Sequence, residues 1–109
     1  MVKVIVFREQ GTVVGFELTG HADQGAYGED IACAGISAIA QTALLGITDV
    51  LKLDASTTRA SGDVFCELSR ETAPEDLEKA AIVFNTMIAG LTSIRQAYPK
   101  ALKFSYREV

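Results

Sequence analysis

The chain has no tryptophan, one histidine, two cysteines and two prolines among its 109 residues. Two thiols cannot staple a disulfide scaffold, and their scarcity points to a reducing compartment in which both stay free. Zinc sites use closely spaced ligand pairs and a third or fourth Cys or His, so no metal or other cofactor is expected. Basic clusters are missing too. Ten Lys and Arg face 14 Asp and Glu, for a net charge of −4. Without clustered cations to neutralise phosphates, direct nucleic-acid binding is not expected. The longest apolar stretch, Ile31 to Ile47, is interrupted by Ser37, Gln41 and Thr42 and reads as too short and too polar to span a bilayer. The opening MVKVIVFREQ alternates and is charged by position 8, so it reads as a strand rather than a secretory leader, and the expected location is the cytoplasm. There is no internal repeat, linker or low-complexity segment.

What is present reads as one domain over residues 1–109, since 49% apolar residues suffice for a modest core at this length. Residues 2–8 and 12–19 are rich in β-branched and aromatic side chains and flank Glu9-Gln10-Gly11, which predicts a hairpin. Ile36, Ile39, Ala43, Ile47 and Leu51 recur at helical spacing, which predicts a helix over about 31–51, buried on more than one side because its other faces are mostly small residues. A second hairpin is expected around Ser61-Gly62-Asp63, with the strand 64–69 stronger than 54–60. Pro74, Glu75 and Asp76 suit the first turn of a helix capped at Thr72 or Ala73, and its apolar period runs to Tyr98 before Pro99. In ALKFSYREV, Leu102, Phe104 and Tyr106 alternate with Lys103, Ser105 and Arg107, a strand with one wet face. The order ββ-α-ββ-α-β implies an α+β fold, two helices on one face of a small, mainly antiparallel sheet.

The segment TGHADQGAYGEDIACAGISAIA, residues 19–40, holds the lone His21 twelve residues before Cys33. A free thiol with a pKa of about 8.5 is only a few per cent thiolate at neutral pH, and a helix N-terminus or an adjacent imidazolium favours the anion. With Asp30 as N-cap, Cys33 is the third helical residue, among N–H groups without intrahelical partners that also suit an oxyanion. His21 follows a strand and Gly20, and the connector carrying Gly25 and Gly28 is long and free enough to bring Cys33 beside it and to move over a site. Residues alone leave the bland reading open: a surface histidine and a cysteine acting as a small hydrophobe. Cys66 alternates with Val64 and Leu68 and reads as core.

The string Gly20-His21-Ala22, then Gly28-Glu29-Asp30-Ile31-Ala32-Cys33-Ala34 and a small-residue helix with Ser37, resembles the signature of the bacterial ribosomal-processing cysteine proteases. The likeness covers essentially the whole chain, with mild departures at Ala32, where valine is commoner, and Gly35, where alanine is common. The resemblance implies a peptidase that removes the N-terminal extension of a large-subunit ribosomal protein, number twenty-seven in its series, during ribosome maturation. It implies His21 as general base and Cys33 as nucleophile, with Asp30 and Ser37 as further motif residues. It also implies a homodimer, a His-to-Cys loop that reorders on substrate, and an apolar pocket for an aromatic residue before the cut, with Phe16, Tyr27 or helix residues as its candidate walls. Asp30 has two expected roles, helix cap first and orientation of His21 second. Ser37, one turn beyond Cys33, either bonds near the thiol or substrate or allows close helix packing. Two other classes stay open: a metal-binding module using Cys33, His21 and Asp30, and a non-catalytic assembly module that binds a ribosomal partner through its apolar helix.

Overall fold

A computed structural model describes residues 1–20 and 29–109, with residues 29 and 30 described as backbone only. Strands β1 (Val2–Glu9) and β2 (Thr12–Thr19) form the first hairpin, and β3 (Ala55–Ala60) and β4 (Asp63–Leu68) the second. Between them lies helix α1 (Glu29–Leu45), continued by a π-helical turn over Gly46–Val50. Helix α2 (Pro74–Ala97) and strand β5 (Leu102–Glu108) follow. The expected α+β order is therefore observed. The sheet runs β3-β4-β2-β1-β5, antiparallel throughout except for the parallel β1–β5 pair at one edge.

Local chemistry explains the joints. Gln10 and Gly11 both have positive φ, at 50° and 81°, which is what a two-residue turn matching the right-handed strand twist demands. Gly15 lies where β2 passes β4, and a methyl there would come within 2.5 Å of the Cys66 carbonyl oxygen. Ala73 precedes α2 in extended backbone with Pro74 at the helix start, and Glu75 and Asp76 stand in the first turn, where acidic groups complement the helix dipole.

The register stacks one apolar face. Val4 sits opposite Leu18 and Val6 opposite Phe16, while Phe16 and Leu18 face Cys66 and Val64 on β4. All six are buried. Ala80, Phe84, Met87 and Leu91 of α2 cover this face at spacings of four, three and four. Phe16 meets Phe84 edge to face at 6.0 Å; burial of each ring contributes roughly 1.5–3 kcal/mol. β4 buries alternate residues whereas β3 is almost wholly exposed, the expected ranking of the two strands. On β5 the apolar face fades: Leu102 is buried, Phe104 half-buried and Tyr106 exposed, with the Arg8 guanidinium 4.4 Å over the Tyr106 ring.

α1 differs from its expectation in two ways. Its helix contact uses glycines as gaps: Ile94 of α2 reaches 3.3 Å from where a Gly35 methyl would be, and Ile39 reaches the same distance from a methyl at Gly90. One stripe nevertheless stays open to solvent, at Ile31, Ala34, Ala38 and Thr42, so burial is less complete than small residues suggested. The helical stretch Ile31–Val50 runs 20 residues at mean hydropathy 1.7, and α2 also has the length and composition of a membrane span. By length and composition the bilayer test is thus met, against the expectation. The interrupting polar groups fit a helix because Thr42 and Thr48 donate to the carbonyls of Ala38 and Leu44 four residues back.

Candidate active site

Cys33, Ser37 and Gln41 repeat every fourth residue, so α1 presents them along one face. Opposite that face lie Arg59 at the end of β3 and the turn that leads into β4. The two walls enclose an open cleft of about 760 Å³. Its apolar surface comes from Val2, Leu18, Ile36 and Val64, and its formal charges among the described residues from Arg59 and Asp63.

Gly20 also lines the cleft. Its N–H donates to the Gly62 carbonyl at 3.0 Å, tying the end of β2 to the β3–β4 turn. Its φ is +95°, and a methyl there would stand 3.1 Å from the Met1 carbonyl oxygen, so this corner is built for glycine. Gly20 is the residue before His21, and it shares the cleft with Cys33 and Ser37. Three of the residues singled out from sequence therefore meet in one place. His21, Gly25, Gly28 and Tyr27 lie outside the described residues.

The expected cap is corrected: the described part of α1 runs from Glu29, so Asp30 is already helical rather than the N-cap. Within the described helix the Cys33 N–H has the Glu29 carbonyl four residues back.

The two cysteines are both free and differ in access. Cys33 is half-buried, packed against the core on one side and open to the cleft on the other. Cys66 has no exposed surface, and burial pushes its thiol from 9.0 up to about 12. Only Cys33 is placed to react. Phe16, expected as a pocket wall, is buried and is not among the residues that line the cleft, whereas Ala34 and Ile36 of α1 are.

Sequence reasoning missed Gln41 and Arg59. Gln41 had a signal, a polar residue eight positions after Cys33 in an apolar helix; Arg59 had none, because only tertiary pairing brings β3 to α1. The Gln41 side-chain N–H donates to Ser37 Oγ at 2.8 Å, and an Arg59 N–H reaches the Gln41 side-chain oxygen at 3.5 Å.

This arrangement has known relatives. A family model described as cysteine protease Prp matches residues 1–103. The chain belongs to that family. It is a cysteine-type peptidase by membership. Ribosomal processing cysteine protease Prp of Staphylococcus aureus is 30% identical over 110 residues, spanning 94% of this chain and 95% of the relative. The Bacillus subtilis protein of the same name is 29% identical over 97 residues, spanning 84% and 83%. The crystal structure of the S. aureus protease with a covalently linked product peptide superimposes with a TM-score of 0.79 at 25% identity, covering 98% of this chain and all of that one.

Proposed function

We propose that this protein is a ribosomal processing endopeptidase, with Cys33 as nucleophile and His21 as general base, that removes the N-terminal extension of a large-subunit ribosomal protein. The observation that carries the site is the shared cleft: the half-buried Cys33 and Gly20, the residue before His21, line the same cavity. The relatives' names support the substrate, and the peptide-bound S. aureus structure supports a peptide ligand.

In this mechanism the Cys33 sulfur forms a bond to the scissile carbonyl carbon as His21 takes the thiol proton. The tetrahedral intermediate collapses when the C–N bond breaks and His21 passes that proton to the departing amine. Water, deprotonated by His21, then attacks the thioester carbonyl; the sulfur leaves as thiolate and the new acid is released. Asp30 stabilises the first helical turn or orients His21. The apolar part of the cleft wall, with the exposed Ala34 at its surface, receives the residue before the cut. The protein acts in the cytoplasm as a homodimer on an extended peptide and does not bind nucleic acid directly.

The test is incubation with the extension peptide and mass spectrometry of the products. A single cut, lost in Cys33→Ala and in His21→Ala while both variants keep the fold, is the expected result. An intact peptide with the unsubstituted protein overturns the substrate assignment, and cutting by Cys33→Ala overturns the nucleophile. Stoichiometric zinc in the purified protein would replace the protease site with a metal module.

A further inference from the structure

We propose that Gln41 and Arg59 are positioning residues that hold the Ser37 hydroxyl as a hydrogen-bond donor toward the carbonyl oxygen of an acyl group being transferred to Cys33. The proposal rests on the reading of Cys33 as the nucleophile.

The argument follows from what each group is able to donate. A guanidinium has donors only, so the Gln41 oxygen must be the atom that faces Arg59, and the contact at 3.5 Å has that sense. The Gln41 amide nitrogen is thereby turned toward Ser37, where it donates to Oγ at 2.8 Å. Rotating the amide by half a turn would set its N–H groups against the guanidinium, donor against donor. Ser37 Oγ therefore spends a lone pair on Gln41 and keeps its hydrogen for another acceptor.

Four helical threonines use that hydrogen locally. Thr42, Thr48, Thr86 and Thr92 each donate to the carbonyl four residues earlier, at 2.6–3.2 Å. Among the described residues Ser37 makes no such bond, and its partner there is Gln41. Its hydrogen is left for the cleft, which Ser37 lines with Cys33 one turn away. A donor fixed in advance beside a nucleophile is what a developing oxyanion needs. Gln41 is half-buried and Arg59 exposed, so the relay reaches from solvent to the site across the cleft.

The substitution that separates positioning from packing is Gln41→Glu. A carboxylate of the same shape still accepts from Arg59 but cannot donate to Ser37, and it draws the Ser37 hydrogen to itself. The probe is p-nitrophenyl acetate: His21 takes the thiol proton, the Cys33 sulfur bonds to the acetyl carbon, the acyl C–O bond breaks and nitrophenolate leaves with its electron pair, and peptide mapping confirms acetylation at Cys33. Ser37→Ala is expected to slow acylation by about a hundredfold, the scale of one lost oxyanion donor. Gln41→Glu is expected to slow it by about tenfold or more on the same grounds, and Gln41→Met by less, because methionine does not compete for the hydrogen. In a Ser37→Ala background neither Gln41→Glu nor Arg59→Met should slow it further. Should Gln41→Glu fail to fold, Arg59→Met, at an exposed position, carries the same test alone.

Rates for Gln41→Glu or, failing its folding, Arg59→Met equal to the parent would overturn the relay, as would losses that multiply in the double variants. No acylation of Cys33 in the unsubstituted protein overturns the relay and the nucleophile together. Acylation with the expected pattern, but no cutting of the ribosomal extension, leaves the relay standing and removes only the substrate.

Discussion

Cys33 stands at the wall of a cleft, one turn into α1, whereas Cys66 stands in the middle of the sheet between Phe16 and Thr57 with no exposed surface. Cys33 has small or apolar neighbours in sequence, Cys66 lies between Phe65 and Glu67, and neither is bonded to the other. The difference lies in what the fold leaves beside the sulfur. At Cys66 every direction is filled by side chains that disfavour charge, and the thiol is held neutral far above its ordinary range. At Cys33 one side is core and the other is a space bounded by polar groups from two elements. A thiol becomes a reagent by where packing stops.

The strongest way to break the contrast is to remove each sulfur in turn. Cys33→Ala is expected to lower cutting of the extension peptide by at least about a thousandfold, the scale seen when a nucleophile is deleted, with little change in thermal midpoint. Cys66→Ala is expected to keep activity and lose stability through the cavity it leaves. The reverse pattern, with Cys66→Ala inactive and Cys33→Ala active, would exchange the roles. Paired activity and melting measurements on the two variants read this directly.

Alkylation sharpens the same comparison without any substrate. Iodoacetamide reacts with thiolate, and raising a thiol from 9.0 to about 12 removes about a thousandfold of its anion at pH 8. In the folded protein Cys33 should take one label while Cys66 takes none. Both should label once denaturant is added. Peptide mapping that finds Cys66 modified under native conditions would show the sheet opening where it is packed most completely.

Much of this was legible from residue types, and the boundary is instructive. Strand and helix order followed from apolar periods, because burial on one face of a sheet forces period two and burial on a helix forces three to four. Gly20, Cys33 and Ser37 followed from resemblance and local chemistry, and they do share a cleft. The helical state of Asp30 did not follow, since an acidic residue suits both a cap and a first turn and composition does not rank the two. Phe16 was misplaced for a related reason: alternation says that a side chain is apolar but not whether Phe84 lies on it. Gln41 and Arg59 were invisible as a pair, being 18 residues apart and joined only by the crossing of β3 and α1. Local rules reach caps, turns and faces; contacts between elements need the fold.

The smallest expected effect concerns stability in alkali. In the folded chain Cys66 keeps its proton until about pH 12, while in the unfolded chain it loses it near 9.0. Between those values the unfolded state binds fewer protons, so stability falls as pH rises, by up to about 1.4 kcal/mol per pH unit from this group. Below about pH 8 both states are protonated and the group adds no slope. Other groups titrate in the same range, so the quantity to measure is the difference between the parent and Cys66→Ala in urea melts at successive pH values. The parent's advantage over the variant should be constant up to about pH 8 and shrink from about pH 9 upward. Parallel curves through pH 11 would mean that the Cys66 thiol ionises as easily in the sheet as in the open chain, and the contrast between the two sulfurs would then rest on access alone.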